Sequence, residues 1–270
     1  MKSAAFDYER PKSIAQATAL LDDDPHGNRV LSGGQSLGPM LNLRLLQPKR
    51  LVDVRKIPEM TVREEDNGAL LLGACITHSA IEDGTVPDIA NGMMSSVAAG
   101  IACRAIRNKG TVGGSLAHAD PAADWPTCLL ALDAEVMLHG PTGRRSLPLQ
   151  EFLRGPFETA IEPGEILSGV RIPKLSTSAR WGYYKFCRKV GEFAETMVAV
   201  LIDRDRDIVR AVIGATEGPL IVLDHGFDPA SNFDSSEAVA IVDEYLPGAD
   251  SYKRRLHAVA LRRAIAEATK

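Results

Sequence analysis

The spacing of apolar residues changes along the chain and divides it into three stretches. In the first, residues 13–24 carry apolar positions at helical intervals, and Arg29–Leu31 and Leu51–Val54 are short apolar runs typical of strands. A glycine turn and an amphipathic stretch separate these two runs. The alternation predicts a small α/β unit at the start of the chain.

The second stretch mixes strand and helix patterns. Residues 69–77 predict a strand, while residues 88–106 and 124–134 predict helices. The glycines and proline of residues 140–145 predict the turn of a hairpin.

The third stretch consists of apolar runs followed by amphipathic segments. It predicts three antiparallel strands and then two closing helices, at residues 181–190, 196–205, 207–216, 235–246 and 252–270. Strands followed by helices are typical of a separate α+β domain.

The predicted fold class is therefore α+β, with a domain boundary in the polar segment 174–180. We expect a first domain at residues 1–175, divided into subdomains of about 1–56 and 57–175. We expect a second domain at residues 176–270.

Composition and charge narrow the class of protein. Hydrophobic residues make up 45% of the chain and charged residues 24%, as in ordinary globular proteins. The net charge of -4 comes from interspersed acids and bases, so no basic block indicates a nucleic-acid partner. The start lacks an apolar signal core, and no apolar run reaches the ~18 residues of a membrane helix. We expect a cytoplasmic protein without a membrane span.

The cysteines Cys75, Cys103, Cys128 and Cys187 are far apart in the sequence and show no C-x-x-C spacing. We expect buried, reduced thiols and no metal site in this chain.

Two Gly-Gly pairs are flanked by hydroxyl residues, in "SGGQS" at 32–36 and "TVGGS" at 111–115. Glycine reaches positive φ and lets an anion approach the main chain, and successive N–H groups form an anion-binding nest. The two segments together predict a diphosphate held between two subdomains. For either segment taken singly, an ordinary turn is the alternative. The chain has neither G-x-G-x-x-G nor G-x-x-x-x-G-K-[ST], which argues against a Rossmann domain or a phosphate-loop NTPase.

Longer segments around these pairs carry a family resemblance. The segments "SGGQSLGPMLNLRLLQPKRLVDV" and "IRNKGTVGGSLAHADPAADWPTCLLALDAEV" closely resemble the FAD-binding medium subunit of molybdenum hydroxylases, the carbon monoxide dehydrogenase and xanthine dehydrogenase group. Similarity extends to "GPFETAIEPGEILSGVRIP" and "YKRRLHAVALRRAI", so it covers nearly the whole chain. The resemblance implies two α/β subdomains gripping FAD, in a fold of the PCMH/vanillyl-alcohol-oxidase type, followed by an antiparallel sheet with helices.

The resemblance also implies which residues contact FAD. Two segments are expected at the diphosphate, formed by Ser32, Gly33, Gly34, Gln35 and Ser36 and by Thr111, Gly113, Gly114 and Ser115, and Leu37 is also expected to bind the cofactor. Asp124 corresponds to a flavin contact that accepts from a hydroxyl group, or alternatively caps the helix that starts at Trp125.

Four further positions are implied less directly. Leu167, Lys185 and Ile101 match positions near the flavin in relatives, although Leu167 and Ile101 also fit plain core residues. His118 faces the cofactor or is a solvated loop histidine. No catalytic residue and no metal ligand is expected in the chain.

By resemblance, the function is electron transfer within a larger enzyme, an oxidoreductase. A large subunit with the molybdenum cofactor hydroxylates the substrate, a small subunit with 2Fe-2S clusters conducts electrons, and this chain's FAD passes them to an external acceptor. A dimer of such heterotrimers is the expected assembly.

Two other classes remain open at this point. A self-sufficient FAD-dependent oxidase or reductase of the same fold would need a substrate-binding insertion and its own acid–base residue. A non-enzymatic binding or scaffold module would have no use for two glycine segments.

Overall fold

The computed structural model describes residues 2–224, 229 and 233–270, and within them it contains helices and sheets in comparable amounts. The predicted α+β class is confirmed. No helix in these ranges is long and apolar enough to cross a membrane. The predicted domain limits stay a prediction, and they include residues 1, 225–228 and 230–232, which lie outside the described residues.

The strands of the described chain are β1 (Asp7–Glu9), β2 (Asn28–Leu31), β3 (Arg50–Asp53), β4 (Arg63–Asp66), β5 (Ala69–Gly73), β6 (Glu135–Gly140), β7 (Gly143–Pro148), β8 (Leu153–Gly155), β9 (Glu158–Thr159), β10 (Ile166–Pro173), β11 (Arg180–Phe186), β12 (Thr196–Asp203), β13 (Ile208–Gly214) and β14 (Ile221–Leu223).

The helices are α1 (Ile14–Asp23), α2 (Leu37–Asn42), α3 (His78–Glu82), α4 (Met93–Ala99), α5 (Arg104–Arg107), α6 (Val112–His118), α7 (Asp124–Ala131), α8 (Leu149–Phe152), α9 (Ser235–Tyr245) and α10 (Ser251–Ala268). Short 3₁₀ turns lie at Pro58–Thr61 and Arg204–Arg206.

The strands form three main sheets. The first is parallel, in the order β1-β3-β2, and the second is five-stranded, in the order β4-β5-β10-β6-β7. The third is antiparallel, in the order β11-β12-β13-β14, and β8 pairs with β9 in a small ribbon. The predicted α/β start, the hairpin and the three antiparallel strands are all present.

The first helix shows how the sequence pattern becomes structure. Ser13 accepts a hydrogen bond from the main-chain N–H of Gln16 and so caps α1. The apolar positions of α1, among them Ile14, Ala17 and Leu21, fall on one face and are buried in the core.

The predicted helix at 88–106 is wrong as a single element. It is divided into α4 and α5, because a turn at Gly100–Cys103 interrupts the helical hydrogen bonds. Within this turn Ala102 has a φ of 42°, a left-handed conformation that no helix interior contains.

The third sheet is covered on both faces. Every residue of β12 is buried, because Ala199 and Leu201 face the core shared with the first two sheets while Val198 and Val200 face α9 and α10. Burial on both faces explains why β12 reads as an unbroken apolar run rather than an alternating one.

Candidate functional site

A cleft of about 750 Å³ lies where the three main sheets approach one another. Its volume is within the range of roughly 300–1,000 Å³ that is typical of ligand pockets. The lining includes every residue that the sequence places at the cofactor: Ser32, Gly33, Gly34, Gln35, Ser36, Leu37, Ile101, Thr111, Gly113, Gly114, Ser115, His118, Asp124, Leu167 and Lys185. The structure thus brings these residues, which are spread along the chain from position 32 to position 185, to one site. Their contact with a cofactor stays a prediction.

The first Gly-Gly segment is a loop between β2 and α2. Gly34 has a φ of 71°, as expected for a glycine in a tight turn. Within the part of the chain that the structure describes, the main-chain N–H groups of Gly33, Gly34, Gln35 and Ser36 donate to no protein acceptor. Consecutive free donors beside a cleft are suited to an anion.

The second Gly-Gly segment differs, since it begins a helix. Thr111 is the N-cap of α6, and its side-chain oxygen accepts from the N–H of Gly114 at 3.1 Å. The N–H groups of Val112, Gly113 and Ser115 donate to Ile76, Ala74 and Thr111. The prediction of a nest of successive free N–H groups is therefore wrong for residues 112–115, because these donors are already used.

Close packing, rather than positive φ, explains the glycine at 113. Neither Gly113 nor Gly114 has a positive φ, so that prediction is wrong for the second pair. An ideal Cβ on Gly113 would lie 2.3 Å from the Cβ of Ala74, at the end of β5. Glycine here lets α6 contact the main chain of the second sheet.

Direct contacts join the two segments. The hydroxyl groups of Ser32 and Thr111 lie 2.8 Å apart, and Ser32 Oγ lies 3.3 Å from Cys75 Sγ. Burial raises the pKa of the Cys75 thiol, so this sulfur stays protonated and uncharged. The two segments are thus in direct contact where they line the cleft.

A buried ion pair lies on another wall of the cleft. Lys185 Nζ, on β11, contacts the Asp124 carboxylate oxygens at 2.9 and 3.0 Å, and both side chains are nine-tenths buried or nearly so. Tyr183 OH donates to Asp124 Oδ1 at 2.7 Å. Burial first, and then the charge of Asp124, raise the pKa of Tyr183 well above its ordinary value. Tyr183 therefore remains a neutral donor.

The alternative role of Asp124 as a helix cap is wrong. Helix α7 begins at Asp124 itself, with Ala123 at the N-cap, and the carboxylate points to β11 instead of to the helix N–H groups. A carboxylate has about four acceptor positions, so Asp124 retains capacity for a further donor.

The remaining predicted residues occupy distinct positions on the cleft. Leu167 is buried beside a bulge in β10, whereas Ile101 is half-buried in the turn after α4. His118 is the last residue of α6, half-buried, with its ring centroid 5.2 Å from that of Phe157. His118 thus lies at a helix end rather than in a loop, and its contact with the cofactor stays a prediction.

Sequence reasoning missed several residues of the cleft, of which His78 is the most informative. Trp125 Nε1–H donates to His78 Nδ1 at 2.9 Å, so the proton of the neutral ring lies on Nε2. Burial, followed by the charge of Arg107, lowers the pKa of His78 to about 4. In the sequence, the only mark of this position is a histidine next to a hydroxyl residue. That pattern is too common to predict a ligand site.

Among the further lining residues that the sequence did not indicate, two loops contribute Ile161, Glu162, Pro163, Gly164, Glu165, Gly191, Glu192 and Phe193. These residues share no spacing or residue type that marks a ligand site.

The cysteine prediction is confirmed only in part. Cys75 and Cys128 are buried and Cys187 is half-buried, but Cys103 is exposed. Among the described residues, no group of three or more His, Cys, Asp or Glu side chains is arranged to hold a metal ion.

The hydrogen-bond donors that line the cleft fit a dinucleotide cofactor. The free N–H groups of residues 33–36 and the hydroxyl groups of Ser36 and Ser115 line it, and hydrogen bonds from such groups can hold a diphosphate. The carboxylate of Asp124 can accept from a sugar-like hydroxyl group on the same ligand.

Comparison with known proteins agrees with this assignment. Residues 4–175 match the family described as "FAD binding domain in molybdopterin dehydrogenase". The chain therefore belongs to this family of flavin-binding domains.

Individual relatives extend the similarity to the rest of the chain. The carbon monoxide dehydrogenase medium chain of Hydrogenophaga pseudoflava is 33% identical over 76% of this chain and 71% of its own length. The nicotine 6-hydroxylase medium subunit of Paenarthrobacter nicotinovorans is 34% identical over 99% of both chains. The solved structure of carbon monoxide dehydrogenase from Hydrogenophaga pseudoflava superimposes with a TM-score of 0.89 at 28% identity, covering 100% of this chain and 99% of that one.

Proposed function

We propose that this chain is the FAD-binding, electron-transferring medium subunit of a heteromeric molybdenum-containing dehydrogenase, an oxidoreductase. The two relatives described above are a medium chain and a medium subunit, and one of them matches over essentially its whole length. This full-length match favours the subunit function over a self-sufficient flavoenzyme, which would need an additional substrate-binding segment.

The observation that carries the proposal is the loop at residues 33–36. Its four N–H groups have no protein acceptor within the described structure, and all four residues line the cleft. Hydrogen bonds to a charged group contribute roughly 1.5–3 kcal/mol each, so this loop can hold a diphosphate without an arginine. The second segment, 111–115, contacts the loop through the hydroxyl groups of Ser32 and Thr111.

The other residues orient the ligand. When bound, FAD supplies the redox chemistry, taking electrons from 2Fe-2S clusters and passing them to an external acceptor. Asp124 is held by Lys185 and Tyr183 and accepts a hydroxyl hydrogen bond from the cofactor. Ile101 and Leu167 provide apolar walls that exclude water, and His118 lies at the cleft beside Phe157.

The assembly is part of the proposal. Its partners are a large subunit with the molybdenum cofactor and a small 2Fe-2S subunit, arranged as a dimer of heterotrimers in the cytoplasm. Within this chain, residues 1–175 bind FAD, and residues 176–270 contribute Lys185 to the cleft. The organic substrate is bound on another chain, so the relatives' different substrates are compatible with a common FAD subunit.

Flavin binding is tested on the purified chain by titrating the FAD-free protein with FAD and following flavin fluorescence. We expect saturable, non-covalent binding at one site per chain, with all flavin released to the supernatant after acid precipitation. Absence of saturable binding would overturn the proposal, and flavin retained in the pellet would contradict the non-covalent attachment.

The subunit role is tested by anaerobic reduction of the flavin. A chemical reductant should bleach the flavin of the isolated chain, whereas the organic substrate should do so only after the molybdenum and 2Fe-2S subunits are added. Bleaching of the isolated chain by the substrate alone would favour the self-sufficient flavoenzyme.

A further inference from the structure

The turn between α4 and α5 forms part of the cleft wall, and its conformation is unfavourable by itself. Ile101 and Ala102 both line the cleft. Ala102 has a φ of 42°, in the left-handed region that is unfavourable for a non-glycine residue. Such a turn persists only where surrounding contacts hold it.

Arg107 makes those contacts. Its guanidinium group donates from one nitrogen to the carbonyl oxygens of both Ile101 and Ala102, at 3.0 and 3.1 Å. The other two nitrogens donate to the carboxylate of Glu82, both at 2.8 Å. All three guanidinium nitrogens donate, with four hydrogen bonds shared between one carboxylate and two carbonyls.

The opposite side of the turn is also restrained. Gly191 approaches so closely that an ideal Cβ there would lie 3.2 Å from the carbonyl carbon of Ala102. Lys185 Nζ lies 3.4 Å from the carbonyl oxygen of Gly100. The turn is therefore packed between the Arg107–Glu82 pair and the part of the C-terminal sheet that also lines the cleft.

We propose that Arg107, oriented by Glu82, is a positioning residue that fixes the Ile101–Ala102 wall against the bound flavin. The inference rests on the proposed FAD site. Arg107 does not line the cleft, so it acts through the two carbonyls that it holds. A wall fixed in this way keeps the cleft-lining residue Ile101 in one place and lowers the entropy lost on binding.

A neighbouring arginine provides a matched control. Arg104 lies on the same helix and contacts the same Glu82 at 2.7 Å, and it also pairs with Asp83. It donates to neither carbonyl of the turn. Arg104 is 48% exposed, whereas Arg107 is only 12% exposed.

The experiment compares FAD binding by the full chain in the wild type, Arg107→Lys and Arg104→Lys. Lysine retains the positive charge but cannot reach Glu82 and both carbonyls together. We expect Arg107→Lys to raise the Kd for FAD about tenfold and Arg104→Lys to change it less than about twofold. The reduction potential and the shape of the visible band of the bound flavin should change in Arg107→Lys alone.

Each alternative outcome is decisive. Wild-type affinity and potential in Arg107→Lys would overturn the inference, as would an equal loss in both variants, because a general electrostatic effect would then suffice. If Arg107→Lys does not fold, FAD binding by Glu82→Gln tests the inference instead. This variant keeps a weaker partner for Arg107 and should raise the Kd about threefold. An unchanged Kd in Glu82→Gln would overturn the inference. Failure of the wild type to bind FAD would instead contradict the proposed function.

Discussion

The two Gly-Gly segments look alike in sequence but have different physical roles. In the 32–36 loop, Gly34 has a positive φ and four consecutive N–H groups are free within the described residues. In the 111–115 segment, the glycines are helical and their N–H groups bond to Ala74 and to the side chain of Thr111. The 32–36 loop has donors suited to an anion, although Gly33 also packs closely on the main chain of Lys109, whereas the 111–115 segment has its donors bonded within the protein.

This difference shows why a short motif is an incomplete guide to chemistry. A glycine is required wherever a Cβ would strain the backbone or collide with a neighbour, whether that neighbour is a ligand or the protein itself. At Gly113 the neighbour is Ala74. The same dipeptide therefore indicates close approach, and only the structure identifies the approaching group.

The largest effect is expected for Gly113→Ala. Its new Cβ would collide with the Ala74 main chain, and overpacking of this kind costs about 1–3 kcal/mol of unfolding free energy. Urea denaturation of the FAD-free protein measures this loss. A variant as stable as the wild type would contradict the packing role of the second pair.

A comparable loss of unfolding free energy should follow from acidification. The group responsible is His78, which packs against Gly110 just before the second pair. Its folded pKa of about 4 lies below the ordinary value of 6.5, so the unfolded chain binds more protons between these values. The contribution of His78 to the free energy of unfolding is therefore fully present above about pH 6.5 and is lost as the pH falls towards 4. About 1–2 kcal/mol of it is lost between pH 7 and pH 5.

His257 has the same lowered pKa of about 4, and burial is its main cause, so it adds to the effect. Urea midpoints at pH 7 and pH 5 should differ less in His78→Gln than in the wild type. An identical difference in both proteins would show that His78 does not contribute.

A smaller effect is expected for Thr111→Val. The variant keeps the side-chain shape but removes the cap of α6 and the contact with Ser32, and loss of a cap costs about 1 kcal/mol. FAD affinity should decline less than stability suggests, because the free donors lie on the other loop. Complete loss of FAD binding by a folded variant would assign the anion contact to the second segment.

An effect on stability no larger than that of Thr111→Val, but the clearest effect on binding, is expected for Gly34→Ala. Alanine at positive φ costs about 1 kcal/mol and shifts the free N–H groups of the loop. We expect a folded protein with FAD affinity at least about tenfold weaker. Unchanged affinity, measured by the same fluorescence titration, would remove the first loop from the diphosphate site.

The sequence determined the elements whose signals are local. The apolar period of α1, the runs of β11 to β13 and the turn of the β6–β7 hairpin reflect nearest-neighbour preferences and burial, and all were predictable. The two glycine segments, with their flanking hydroxyl residues, also led to the family. Each of these features depends on residues within about one element of the chain.

Tertiary structure decided the features that depend on distant neighbours. Whether Gly113 faces a ligand or Ala74, whether Asp124 caps α7 or binds Lys185, and where residues 100–103 interrupt the helix all follow from groups many residues away. Local propensities for these alternatives are nearly equal, so packing and charge pairing in the folded chain select between them.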